Sequence, residues 1–94
     1  MFLVLYGRVV DNKKKGLKFE GPFYGPECLN MQIAHEECRK IVTGSKDHVL
    51  VKICDLSEVD YQSAKKLASI QFSRTFEQME VARSFCDAPK RKRR

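Results

Sequence analysis

The chain has 94 residues, enough for one domain and too few for two, because a divided core would bury too little surface to be stable. Apolar residues make up 43% and charged residues 32%, which excludes a disordered chain and leaves a small packed core within reach. The formal charge of +6 is uneven: residues 1–89 hold 13 basic and 12 acidic residues, a net +1, and Lys90, Arg91, Lys92, Arg93 and Arg94 supply the other +5.

From Phe2 to Val10 the residues are aliphatic, β-branched or aromatic, broken only by Gly7 and Arg8, the pattern of a central strand buried on both faces. Its apolar run is strand-sized, whereas a bilayer span needs ~20 residues. It also lacks the basic leader and the cleavage site of a secretory signal. An intracellular protein with no membrane partner is expected, cytoplasmic, or nuclear in a host that has a nucleus.

Asp11, Asn12, Lys13, Lys14, Lys15 and Gly16 form a polar turn, and Leu17 to Glu20 alternate as a half-exposed second strand does, so the first two strands read as an antiparallel hairpin. Gly21-Pro22-Phe23-Tyr24-Gly25-Pro26 reads as a connector, because two prolines lack the ladder donor and two glycines favour turns. Pro26 then suits the first position of a helix running to Val42, with Gly44 as its stop. On the helical wheel Cys28, Met31, Ala34, Cys38, Ile41 and Val42 form the core face. Leu29 and Ile33 fall nearly opposite and are expected to lie under the aromatic connector.

Asp47 to Leu56 is a third strand, with Val49, Val51 and Ile53 on one face and Leu50 and Cys54 on the other. Ser57 followed by Asp60 resembles a capping box and predicts that the second helix begins there. Tyr61, Ala64, Ala68, Phe72, Thr75, Met79, Ala82 and Cys86 make one stripe along it, with no Gly or Pro before Pro89. Spacing alone leaves open whether this is one rod or two pieces.

The expected fold is therefore α+β: a single domain over 1–89 in the order β-β-α-β-α, and a disordered basic tail over 90–94. Its three-stranded, mostly antiparallel sheet has strand order 2-1-3 and both helices on one face. The other face would be open and lined from Leu3, Leu5, Leu50 and Cys54. An open apolar face, with a helix stripe longer than the domain, predicts a homodimer.

Chemistry is sparse. Cys28, Cys38, Cys54 and Cys86 are widely spaced within apolar patterns and read as free thiols in a reducing compartment. No CxxC or HxxxH pair joins them to His35 or His48, so no metal is expected. No GxxxxGK[ST] or GxGxxG loop is present, and no cofactor is expected. His35, His48 and Tyr61 stand near no orienting partner that the spacing reveals, so the chain reads as a binding protein and not as an enzyme.

Two sets of binding residues stand out. Lys13, Lys14, Lys15, Lys90, Arg91, Lys92, Arg93 and Arg94 have the chemistry to hold the phosphates of RNA or DNA. Phe23, Tyr24, Leu29 and Ile33 are the candidates for anchoring a partner protein. The segment GPFYGPE, leading directly into a helix that carries Ala34 and Cys38, resembles the Gly-Pro-aromatic-turn-helix unit of small phage-encoded α/β accessory proteins. That resemblance implies a viral origin and a compact protein that binds a host protein or nucleic-acid machine, inhibitors of defence systems among them.

Overall fold

The computed structural model describes the backbone of residues 1–92 and the side chains of residues 1–83. Strands β1 (Phe2–Asn12), β2 (Gly16–Cys28) and β3 (His48–Asp55) form one antiparallel sheet in the order β2-β1-β3. Helices α1 (Met31–Thr43) and α2 (Tyr61–Lys92) complete a small α+β domain with the element order and strand order expected. Among the described residues, no helix is long and apolar enough to cross a membrane.

β1 is central because both of its faces are apolar. Leu3, Leu5 and Val9 pack to one side and Val4 to the other, all of them buried. A strand of this kind needs a cover on each face, and each helix supplies one. α2 lays Ala64, Ala68 and Phe72 on Leu3, Leu5, Leu50 and Cys54. α1 lays Ala34 and Cys38 on Val4 and Cys28, with Phe2, Val51 and Ile53 at the margin. The placement of both helices on one face is corrected accordingly, and so is the open face: α2 covers the four residues meant to line it.

The second correction concerns β2. Gly21 to Pro26 does not leave the sheet; β2 stays paired with β1 from Gly16 to Cys28, with register shifts opposite Leu3/Leu5 and Tyr6/Arg8. Prolines are tolerated in edge strands and at bulges, and β2 is both an edge and bulged. Gly21 takes a φ of 126°, a region that residues with a Cβ avoid, which lets the strand bend without parting from β1. Gly7 of β1 has no side chain for a related reason: a Cβ there would stand 2.6 Å from the Phe19 ring, which crosses the sheet to reach Phe72 and Phe76.

Because β2 runs on, α1 starts later than Pro26. Asn30 is its cap, with Oδ1 accepting from the Ile33 N–H at 2.9 Å. Leu29 and Ile33 are not sheltered by the aromatic segment; they are 73% and 38% exposed. α2 also starts later than expected. The Ser57 hydroxyl donates to Asp55 Oδ1 at 2.7 Å and closes the turn after β3. Asp60 is the cap, accepting from the Ser63 N–H at 2.7 Å. α2 then continues as one helix of 32 residues in a molecule 55 Å long. Of the tail expected as disordered over 90–94, the backbone of Lys90, Arg91 and Lys92 is the last part of α2, and their side chains and all of Arg93 and Arg94 lie outside the described residues.

Candidate nucleic-acid interface

The turn between β1 and β2 is organised by one side chain. Asn12 Oδ1 accepts from the backbone N–H groups of Lys14 and Lys15 at 3.1 and 3.4 Å, and the Asn12 carbonyl also accepts from Lys15 at 3.1 Å. Asparagine favours such turns because its short amide reaches the backbone two residues on. Gly16 closes the turn at a φ of 94°, a conformation that costs a residue with a Cβ far more. The result holds Lys13, Lys14 and Lys15 exposed at the tip of the hairpin.

Asp11, just before these lysines, receives Arg83 of α2: Nη1 donates to Asp11 Oδ1 at 2.7 Å. The two residues are 72 apart in sequence. This bond brings α2 to the foot of the lysine hairpin, and the basic run Lys90 to Arg94 follows Arg83 in the chain. Lys13, Lys14 and Lys15 are thus held together near Arg83 of α2, while the side chains of the second basic cluster lie outside the described residues. Neither Asp11 nor Arg83 is signalled by local spacing, since their meeting depends on α2 lying along the sheet.

The proposed anchors for a protein partner are not gathered in one patch. Phe23 turns to the α1 side, where its ring lies 5.4 Å from that of Tyr6 and under the Arg8 guanidinium at 5.4 Å. Tyr24 turns to the α2 side, 5.5 Å from Tyr61, with Lys65 Nζ over its ring at 5.4 Å. Leu29 and Ile33 form a separate exposed pair at the start of α1. Tyr24 and Lys65 join an exposed aromatic face to a cation, a pairing suited to stacking on a base. Lys65 escaped attention in the sequence because its partner lies on another element.

A groove of 340 Å³ on the α1 side is lined by Tyr6, Arg8, Ile41, Gly44, Ser45 and Val49. Arg8 Nη2 lies 3.5 Å from Glu20 Oε1, and its Nε is buried with no partner. Residues that sequence spacing offered for chemistry are separated by environment. His35 is exposed while Cys38, three residues along α1, is buried, and burial pushes the thiols of Cys28, Cys38 and Cys54 above their ordinary value. All three are free cysteines. Among the described residues, no three His, Cys, Asp or Glu side chains gather as a metal site requires. No protein-family model, curated protein or solved structure matches the chain.

Proposed function

We propose that this is a non-enzymatic binding protein whose lysine hairpin and C-terminal basic run together hold the phosphate backbone of RNA or DNA. The observation that carries this reading is the Arg83–Asp11 bond, which shows α2 passing the foot of the lysine hairpin before the chain reaches its second basic cluster. Eight cations in two runs of a chain that is otherwise nearly neutral favour a polyanion, and such binding releases counterions whatever the base sequence. Protonated, buried thiols are poor nucleophiles, which also favours binding over catalysis. In a nucleated host the basic run would serve as an import signal as well. The test is fluorescence anisotropy with labelled RNA and DNA: changing Lys13, Lys14 and Lys15 to alanine, or deleting residues 90–94, weakens binding to every sequence alike. Unchanged affinity in both variants refutes the proposal.

A second reading, a module that occludes a host protein, draws support from the exposure of Leu29 and Ile33. It requires Leu29→Ala with Ile33→Ala to abolish capture of that partner while the melting temperature stays the same. Phe23 has less part in this reading, because its ring is engaged by Tyr6 and Arg8.

A further inference from the structure

The two edges of the sheet differ. β2 is interrupted by Gly21, Pro22, Gly25 and Pro26 and by two register shifts, devices that prevent another strand from adding to it. β3 has none of them: its eight residues, His48-Val-Leu-Val-Lys-Ile-Cys-Asp55, contain no Gly or Pro and pair with β1 without a shift. The side of β3 away from β1 has no strand beside it among the described residues.

The hydrogen bonds of β3 fix which of its residues face outward. The Leu56 N–H donates to the Met1 carbonyl at 2.9 Å, and Asp55 stands opposite Phe2. In an antiparallel ladder the bonded pairs alternate, so the even-numbered residues of β3 spend their backbone groups on β1. Val49, Val51, Ile53 and Asp55 therefore offer their N–H and C=O groups outward.

We propose that the chain self-associates through this edge, two copies of β3 pairing antiparallel about a two-fold axis at Val51 to form one six-stranded sheet. A two-fold axis perpendicular to the sheet joins residues of equal parity, so the outward set can pair only with itself. Centring on Val51 sets Val51 against its own copy and Val49 against Ile53 twice, which keeps an apolar row on the α1 side. The neighbouring register, centred on Lys52, would set two ammonium groups directly opposite and is disfavoured.

Helix α2 carries a second apolar line along the same edge. Leu67 and Ile70 are 45% and 55% exposed and line a groove with Lys52 and Gln71, whose side chains bond at 2.9 Å. The two-fold axis makes the two copies of this line face each other over the joined strands. A segment from an unrelated protein could add to β3, but it would not bring its own copy of Leu67 and Ile70. The homodimer expected from an open sheet face is thus assigned to a strand edge.

Light scattering coupled to size exclusion, on the full chain over a wide concentration range, tests this. The mass should approach twice 10.9 kDa. Val51→Pro should give a folded monomer by circular dichroism, since the lost N–H points away from β1, and Ile70→Glu should weaken association without touching the ladder. Val51→Cys should form a disulfide-linked dimer on mild oxidation, because bonded antiparallel pairs stand about 5.5 Å apart at Cα, within disulfide reach. A monomer at all concentrations overturns the proposal, as does a dimer that survives both Val51→Pro and Ile70→Glu.

Discussion

Phe72 is the largest fully buried side chain, and it joins the sheet to α2 through Leu3, Leu5 and the ring of Phe19. Phe72→Ala should destabilise the fold by about 3–5 kcal/mol in urea unfolding, from lost transfer energy and the cavity left behind. Gly7→Ala should also destabilise it, because Phe19 has to leave its place over β1. Two carboxylates give the stability a pH dependence. Asp60 is held below the ordinary carboxylate value first by the Ser63 backbone N–H and next by its hydroxyl, and Asp55 in the same order by Ser57. A folded pKa below the unfolded one means that the stabilisation is present above the unfolded value, 3.8, and is lost as pH falls through the folded value. The melting temperature should therefore fall on acidification below that value, and Asp60→Asn should flatten the decline. A decline of equal steepness in Asp60→Asn would rule out the cap as its source.

At the level of elements, α2 sits close to the sheet because Ala64 and Ala68 leave room, both being fully buried. Ala68→Leu should cost about 1–3 kcal/mol by overpacking, measured in the same unfolding experiment. This stripe is legible in the sequence, as is the central position of β1, because periods of 3.6 and 2 report directly which face meets the core. The two-sided cover of β1 is not: apolar residues at odd and even positions show that both faces are covered, but a partner could cover one of them as well as a helix, and the expectation of both helices on one face followed from that choice. The course of β2 is not legible either, since Pro22 and Pro26 carry the signature of a break, and only their place on an edge makes them compatible with pairing. Helix starts shifted for a related reason. Ser57 and Pro26 are plausible first residues locally, but Asp60 and Asn30 hold the N–H groups that tertiary packing leaves free.

Across the whole molecule, the lysine cluster was visible in the sequence, whereas its meeting with α2 was not, because a bond between residues 72 apart has no local signature. Arg83–Asp11 is partly exposed and such pairs add about 0–1 kcal/mol, so the packing of Ala64, Ala68 and Phe72 sets the position of α2 and the ion pair follows from it. Self-association through β3 would point the two lysine hairpins away from each other along the strands. Phosphate binding by the lysine hairpin and the C-terminal basic run shows itself in the salt dependence of affinity. Each neutralised phosphate contributes about 0.7–0.9 to the slope of log affinity against log salt. The full chain should show a steep slope. It should shrink when Lys13, Lys14 and Lys15 become alanine, and shrink again when residues 90–94 are also removed. A slope near zero for the full chain, or one that both changes leave intact, would mean that these cations do not hold phosphates.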